Sequence, residues 1–335
     1  MNKLRKALII IGSILISLGL FWMIVGFITP YQVTDENPWR SEKTLISAHR
    51  GGANLYPENT QMAFDYVIKE TSFTDIVEID VRLTKGDKDE SELVIIHDAS
   101  INRTGLNEEK EEILIRNSSY EDLAKYNLGI NFEVNGKKPF EKYTKEEDIK
   151  NKGLSIMKLS DFLDRYNNER DFRLLLEIKD TKEDAKLAVD KAEELLALDK
   201  YSWWDERTMI ISFSTDAVNH VLDKYPNRYV AGMGYNMVPF LVGSVLGLDS
   251  LFKIKYQSVQ TSMITKAGPI SINCATQRFV DSAHSRNQCV AYWTINDIED
   301  MKHLIGLGAD IITTNSPDKL AELLGKTIEK QPCYE

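Results

Sequence analysis

"TLISAHRGGANLYPENTQMAFDYVIKETSFTDIVEIDVRL", residues 44–83, decides the class of fold. A short β-prone run (44–48) is followed by a helical pattern (60–70) and by a second β-prone run (76–83). Both runs are almost continuously apolar, which is typical of parallel strands that are covered on both faces. The stretch therefore predicts a strand–helix–strand unit of an α/β protein.

The same alternation continues along residues 44–326 and predicts the architecture. We expect a (β/α)8 TIM barrel, with a doubly wound open sheet as the alternative. A polar stretch at about 99–157 breaks the rhythm and is predicted to be an insertion over one end of the barrel. Nine runs are candidate strands, one more than such a barrel holds: 44–48, 76–83, 93–97, 173–179, 208–213, 228–233, 271–275, 289–295 and 310–314.

The N-terminal stretch is a candidate transmembrane helix. Residues 7–28 are 22 residues without a charge, long enough to cross ~30 Å of hydrocarbon. Three basic residues precede this run and favour a cytoplasmic N-terminus. They are Lys3, Arg5 and Lys6. We expect residues 1–29 to be a single-pass anchor in the cell membrane, with the remaining chain extracytoplasmic; a cleaved signal peptide is the alternative.

Two short segments flank the predicted barrel. Residues 30–43 are polar, contain two prolines and are expected to be a tether, and residues 327–335 form a C-terminal tail. The three cysteines are too widely spaced for a disulfide framework or a zinc site. Cys274 and Cys289 lie in apolar runs, so buried thiols are expected, and one disulfide stays open.

The charge of the chain excludes one broad class of function. The 335 residues carry a net charge of −10, so there is no general basic surface for nucleic acid. An acidic enzyme that acts on an anionic substrate would need local cations or a metal ion.

Ionisable residues gather where the predicted strands end. In a (β/α)8 barrel the catalytic residues lie at the carboxyl ends of the strands. His49 and Arg50 end the first strand, and "EID" places two carboxylates on one face of the second. So many charges on apolar strands are costly unless they compensate one another. The other residues in this set are Glu78, Asp80, His97, Glu177 and Lys179.

The residue types in this set indicate a chemistry. Three carboxylates can converge on a hard divalent cation such as Ca²⁺ or Mg²⁺. Two histidines suit general acid and base catalysis near neutral pH. Arg50 and Lys179 supply positive charge for a phosphate. Together they indicate a phosphodiester-cleaving site, although each group alone has a structural alternative, such as an ion pair with Arg82.

Six motifs in this order resemble the glycerophosphodiester phosphodiesterase family over residues 44–326. They are "AHRGGANLYPENTQMAF", "VEIDVRLTK", "LVIIHDASINRT", "LLLEIK", "IISF" and "AYWTIN". The resemblance implies a (β/α)8 barrel with an insertion and hydrolysis of glycerophosphodiesters to an alcohol and glycerol 3-phosphate. It implies an acid/base pair (His49 and His97), ligands for Ca²⁺ or Mg²⁺ (Glu78, Asp80 and Glu177) and phosphate contacts (Arg50 and Lys179).

The resemblance gives less definite roles to three further positions. Glu58 in "PENT" either touches the metal or holds its loop, while Asn59 and Thr60 are expected to start and cap the next helix. Trp293 resembles an aromatic near the glycerol of the substrate. "TTNSPD" departs from the more usual "TDxPD" near the last strand and changes a residue at the rim.

Several alternatives remain at this point. An enzyme of the same fold could act on lysophospholipids or on a glycerol-phosphate polymer of the cell envelope. A membrane-anchored binding module without activity is the alternative of another class. The apolar stretch 235–252 is either a barrel helix that faces the core or a lipid contact. The sequence leaves open the head group, the metal, the acid and base assignment, and attack by water or through a cyclic phosphate.

Overall fold

The centre of the computed structural model, which describes residues 3–34, 36–106, 111–267 and 270–334, is a closed barrel of eight parallel strands. The order around the barrel is β1-β12-β11-β8-β7-β6-β5-β2, and β1 also pairs with β2 and so closes the ring. The predicted TIM barrel is confirmed. The strands are β1 (Leu45–Ala48), β2 (Ile76–Leu83), β3 (Leu93–Ile95), β4 (Met157–Lys158), β5 (Arg173–Ile178), β6 (Thr208–Ile211), β7 (Tyr229–Gly232), β8 (Ser258–Thr261), β9 (Ile264–Ala267), β10 (Ile270–Asn273), β11 (Cys289–Tyr292) and β12 (Ile311–Thr314).

Two of the nine predicted strands do not belong to the barrel wall, and one wall strand was missed. The run at 93–97 contains β3, which pairs antiparallel with β2 and with β4 outside the ring. The run at 271–275 overlaps β10, which forms an antiparallel hairpin with β9. The missed strand is β8, whose sequence "SVQT" is mostly polar although all four residues are buried. Because its side chains are mostly polar, this strand does not appear in a search for apolar runs.

Helices connect the strands and pack an apolar stripe against the barrel. In α7 the inward side chains include Ala188, Val189 and Leu196, all buried, while its outward side carries lysine and glutamate. The helices are α1 (Lys3–Gly26), α2 (Gln61–Asp65), α3 (Asn102–Gly105), α4 (Tyr120–Leu123), α5 (Glu146–Asn151), α6 (Leu159–Tyr166), α7 (Lys182–Leu196), α8 (Ser202–Asp205), α9 (Thr215–Lys224), α10 (Val238–Leu246), α11 (Gln277–His284), α12 (Ile298–Gly306) and α13 (Pro317–Leu323).

The segment expected to be a tether packs against the barrel in its second half. Trp39 is completely buried in a cluster at the amino-terminal end of the barrel, beside Ile76 and Cys289. The Asn37 amide donates to the carbonyls of Gln257 (2.9 Å) and Asn287 (2.7 Å). This stretch therefore covers the end of the barrel opposite the predicted site.

Helix α1 stands away from the barrel for most of its length. Its stretch Arg5–Gly26 has a mean hydropathy of 2.7, and only 6% of its apolar window is buried. By length and composition this helix can cross a membrane, and a signal sequence meets the same criteria.

The polar stretch between β3 and β4 has a small core of its own. Val94, Ile101, Leu123 and Ile156 are buried together in a cluster separate from the barrel core. Of the predicted insertion, residues 107–110 lie outside the described residues. The three cysteines are free thiols, with Cys274 and Cys289 buried and Cys333 exposed.

Candidate active site

A sharp turn at the carboxyl end of β1 carries the first two site residues. Arg50 has left-handed backbone angles (φ 53°), and Gly51 (φ 79°) and Gly52 (φ 87°) continue the turn. A Cβ at Gly51 would lie 2.9 Å from Cδ1 of Phe64, so only glycine fits there. The turn places the side chains of His49 and Arg50 in the cavity at the mouth of the barrel.

Three carboxylates from neighbouring strands meet beneath this turn. Glu78 and Asp80 come from β2 and Glu177 from β5, and each offers an oxygen within 4.8 Å of the others. The register pairs Asp80 with Glu177, and the two-residue period of the strand puts Glu78 on the same face as Asp80. All three side chains are buried. The structure therefore brings together the carboxylates that the sequence singled out.

Two cations compensate part of this negative charge. Lys179 Nζ lies 2.7 Å from Glu177 Oε1 and 3.3 Å from Asp80 Oδ1. Arg50 Nε lies 3.3 Å from Asp80 Oδ2, and the Arg50 backbone N–H donates to Glu78 Oε2 at 2.8 Å. Glu78 Oε1 is buried, and no hydrogen-bond partner for it is found within the described ranges.

The pKa values of the three carboxylates diverge because the cations are shared unequally. Burial raises the pKa of Glu78 well above its usual value, and the charges of Asp80 and Glu177 add to this effect. Burial and Asp80 also raise the pKa of Glu177 against the opposing influence of Lys179. For Asp80 burial is outweighed by Lys179 and Arg50, and its pKa is lowered. The cluster therefore holds more acid groups than its cations neutralise.

These residues fit a hard divalent cation. The potential ligands are carboxylate oxygens only, which is the donor set that Ca²⁺ and Mg²⁺ prefer. The unpartnered Oε1 of Glu78 is a further sign, because a buried carboxylate oxygen is normally satisfied. A cation at this point would favour the ionised form of all three carboxylates and would oppose the rise in the pKa of Glu78 and Glu177.

His49 is held by a neutral amide. Its Nδ1 lies 2.6 Å from Oδ1 of Asn315, and its Nε2 lies 4.0 Å from Oε2 of Glu78. Burial, assisted by the charge of Arg50, lowers the pKa of His49 to about 4. The ring is therefore neutral at pH 7. Asn315 is the "N" of "TTNSPD", so the departure noted in the sequence contacts a predicted catalytic residue.

His97 is held by a carboxylate instead. Its Nδ1 lies 2.6 Å from Oδ1 of Asp98, and Arg103 donates to the other oxygen of Asp98. The hydrogen bond from His97 lowers the pKa of Asp98; burial opposes this, and Arg103 adds to it. Arg82 donates to the His97 carbonyl at 2.9 Å, so it braces the backbone here rather than the carboxylates of "EID". His97 therefore has an ionised partner that can stabilise a protonated ring.

Glu58 lies between two guanidinium groups and outside the trio of carboxylates. It accepts hydrogen bonds from Nη1 of Arg50 (2.9 Å) and from Nη1 (2.9 Å) and Nη2 (2.7 Å) of Arg103. Burial would raise the pKa of Glu58, but the two arginines outweigh it and the pKa is lowered. Of the two roles left open, the geometry is that of a residue that holds the Arg50 loop.

Two aromatic rings also line the cavity. Trp293 and Phe213 meet edge to face with their centroids 5.3 Å apart, and Met233 and Gln260 belong to the same lining. The indole N–H of Trp293 is buried and has no partner among the residues described. The cavity has a volume of about 100 Å³.

Several residues of the site were missed or were given another role. Asn59 was assigned to the start of a helix, yet its amide donates to Asp80 Oδ2 at 2.8 Å, and Thr60 alone caps α2. Gln260 comes from the overlooked strand β8. Arg103 lies in the motif "LVIIHDASINRT", and its position five residues after Asp98 was the available signal. Nothing in the local sequence pointed from Asn315 to His49.

Comparisons with known proteins agree with this geometry. The profile of the Glycerophosphoryl diester phosphodiesterase family matches residues 49–319. A glycerophosphodiester phosphodiesterase of Bacillus altitudinis is 24% identical over 288 residues, which cover 84% of this chain and 98% of that protein. Another, from Caldanaerobacter subterraneus subsp. tengcongensis, is 27% identical over 284 residues and covers 85% and 99%.

A solved structure supports the fold. A phosphodiesterase of Oleispira antarctica, in complex with the product sn-glycerol-3-phosphate, superposes with a TM-score of 0.59 at 17% identity over 85% of this chain and 98% of that one. At this identity the likeness shows the barrel and nothing further. The family match spans the barrel from the turn after β1 to α13, and on that ground the chain belongs to the glycerophosphoryl diester phosphodiesterase family.

Proposed function

We propose that this phosphodiesterase hydrolyses glycerophosphodiesters to an alcohol and glycerol 3-phosphate and that the reaction depends on Ca²⁺ or Mg²⁺. One observation carries the proposal, namely that three buried carboxylates, two histidines and two cations converge at one mouth of the barrel. The names of the relatives in Bacillus and Caldanaerobacter support the substrate class. This set of groups also argues against a binding module without activity, which would have no use for two histidines beside a cluster of buried carboxylates.

The phosphate would bind between the cations and the carboxylates. Arg50 and Lys179 point their charges into the cavity and can each contact a phosphate oxygen. Glu78, Asp80 and Glu177 would hold the divalent ion, which when bound neutralises charge that develops on the phosphate. Trp293 would cover the glycerol, and its buried indole N–H, which has no partner among the described residues, could donate to one of its oxygens.

The two histidines divide the proton transfers according to their partners. His49, neutral at pH 7, accepts the proton of the nucleophile as the new P–O bond forms. His97, whose Nδ1 lies 2.6 Å from the carboxylate of Asp98, donates a proton to the alcohol oxygen as the old P–O bond breaks. The nucleophile is either water or the neighbouring glycerol hydroxyl. In the second case water then forms a P–O bond to the cyclic phosphate and gives its proton to His97, while His49 donates its proton to the glycerol oxygen whose P–O bond breaks.

Helix α1 would anchor the enzyme to the cell membrane. The stretch Arg5–Gly26 is long and apolar enough to span, and the preceding basic residues favour an N-terminus in the cytoplasm. The barrel (44–326) and its tail would then be extracytoplasmic.

A lysophospholipid is a second candidate substrate, favoured by the aromatic rim. Phe213 is 46% exposed beside Trp293 and offers an apolar contact to an acyl chain that leaves the small cavity. Turnover of a lysophospholipid in preference to water-soluble glycerophosphodiesters would favour this candidate.

Chelation tests the metal dependence of the proposed reaction. Release of glycerol 3-phosphate from a water-soluble glycerophosphodiester is measured before chelation, after it, and after Ca²⁺ or Mg²⁺ is returned. We expect activity to be lost and then restored, and Glu78→Gln to lower it by at least ~100-fold because a ligand and a charge are removed. Glu194→Gln, on the outer side of α7, is the matched control and should change nothing.

Two results would contradict the proposal. Full activity after exhaustive chelation would show that the reaction does not depend on a metal ion. Absence of turnover of every glycerophosphodiester offered would show that the protein does not catalyse the proposed reaction.

A further inference from the structure

The outward side of α10 is apolar. Val238, Val242, Val245 and Leu246 are 41%, 38%, 54% and 52% exposed. Their spacing of four, seven and eight residues places them on one face of the helix. The helix as a whole, "VPFLVGSVL", carries no charge. A continuous exposed apolar strip of this kind marks a surface that contacts another protein, a ligand or a membrane.

This apolar strip does not serve the packing of the barrel. The inward side of α10 is filled by Phe240, Leu241 and Ser244, all buried. The comparable outward positions of other barrel helices are charged, as Lys224 in α9 and Lys302 in α12 show. Packing within the barrel therefore does not explain why the outer side of α10 is apolar.

The end of α10 touches the end of α1. The Ser250 hydroxyl, just after α10, donates to the backbone carbonyl of Val25 at 3.2 Å. The ring of Trp22 lies 3.6 Å from the position of a Cβ built on Gly247, which ends α10. Leu251, next in the chain, is 48% exposed. The last turn of α1 thus lies against the end of α10, where the side chain of Arg278 also reaches Gly247.

Basic and aromatic side chains border the same region. Lys253 and Lys255 are exposed immediately after Leu251, and Lys253 Nζ lies 4.7 Å from the ring centre of Tyr31. Aromatic side chains are enriched where a spanning helix leaves the hydrocarbon, and lysines near a membrane are attracted to anionic head groups. This combination is suited to a lipid surface rather than to a protein partner.

We propose that a bilayer-facing surface, formed by Val238, Val242, Val245, Leu246 and Leu251 and bordered by Lys253 and Lys255, rests on an anionic lipid bilayer. The inference rests on the proposed anchor, because α1 brings this surface to the membrane. The helix begins close to the carboxyl end of β7, where Tyr235 is 86% exposed. The barrel would then lie on its side, with its mouth opening along the membrane surface.

A fluorescent probe on α10 tests this inference in the full-length protein. The variant Val242→Cys, in a Cys333→Ser background, is labelled with an environment-sensitive dye and reconstituted into vesicles of phosphatidylcholine and phosphatidylglycerol. The two remaining cysteines are buried and escape native labelling. We expect a blue-shifted emission and severalfold quenching by lipids that carry nitroxides on their acyl chains. Lys302→Cys, at an outward position of α12, is the matched control and should show neither.

The remaining outcomes separate this inference from the anchor on which it rests. Retention of the protein after a carbonate wash, with equal quenching at positions 242 and 302, would overturn the bilayer-facing surface and leave the anchor intact. A blue-shifted emission that the nitroxide lipids do not quench, and that is lost as the protein is diluted among vesicles, would show that a second copy of the chain covers α10. This result would also overturn the inference. Extraction by carbonate would refute the anchor and with it this surface.

Discussion

At the scale of single residues, the two histidines of the site differ in their surroundings. Burial and the charge of Arg50 lower the pKa of His49 to about 4, and its hydrogen bond to Asn315 opposes this only in part. His97 instead has the carboxylate of Asp98 as its partner.

Replacing the amide should move the acidic limb of the activity profile. Asn315→Asp places a carboxylate 2.6 Å from Nδ1 of His49 and raises the pKa of this histidine from about 4. Because the base in the proposed mechanism is the neutral ring, activity in the variant should be lost at a higher pH as the solution is acidified. The pH dependence of kcat/KM measures the shift. An unchanged acidic limb would mean that His49 is not the base.

Arg103 is a positioning residue that connects both halves of the site. It binds Asp98, which orients His97, and Glu58, which holds Arg50. Arg103→Ala should lower kcat by roughly 10- to 100-fold, the size of effect that removal of such outer partners has. The pH dependence should change as well, because Asp98 loses a cation. Arg116→Ala removes another arginine of the polar stretch between β3 and β4, paired with Asp184, and serves as the control. Equal changes in kcat and in its pH dependence for the two variants would show that Arg103 has only a structural role.

The sequence predicts only those parts of the site that follow from the repeat of the strands and from their shared direction. Glu78 and Asp80 share a face because strands repeat every two residues, and Glu177 joins them because both strands end at the same mouth. The contact of Asn315 with His49 depends on ring closure between the last and first strands, which no local pattern encodes.

At the scale of elements, the stretch before β1 closes the end of the barrel remote from the site. Trp39 is the largest side chain in this seal and is completely buried. The strands were predicted from nearly continuous apolar runs, and β8 was missed because three of its four residues, Ser258, Gln260 and Thr261, are buried polar residues. The apolar-run criterion fails where buried strand residues are polar.

Removing Trp39 should destabilise the barrel and spare its chemistry. Trp39→Ala leaves a cavity in the seal and should lower the free energy of unfolding by ~3–5 kcal/mol. Urea unfolding in detergent measures this change, and kcat at a temperature where the variant is folded should be unaffected. The control Tyr31→Ala, at a half-exposed position of the same stretch, should cost less than ~0.5 kcal/mol. Equal costs would show that the seal contributes nothing to stability.

At the scale of the whole molecule, buried acid groups couple stability to pH. Asp180 follows Lys179 at the end of β5 and accepts a hydrogen bond from the Leu83 backbone N–H at 2.9 Å. Burial raises the pKa of Asp180 from 3.8 to about 6. The unfolded chain releases this proton near pH 4 and the folded chain only near pH 6, so stability falls as the pH rises between these values.

Asp180→Asn should remove this part of the pH dependence. The stability of the wild type relative to the variant should fall by up to ~3 kcal/mol between pH 4 and 6, at 1.36 kcal/mol per unit of pKa. Unfolding free energies at several pH values measure the difference. If the two curves stay parallel, Asp180 is ionised in the folded protein and Arg82 compensates it fully.

The closure of the ring has a consequence for the synthesis of the chain. β1 lies between β2 and β12, and residues before it bond to partners as distant as Asp310. During synthesis on the ribosome, β1 is therefore made long before β12, the strand that pairs with its second edge. Such an edge pairs readily with other chains. The barrel closes only when residues 311–314 have emerged, so one edge of β1 stays unpaired throughout the synthesis of the strands in between.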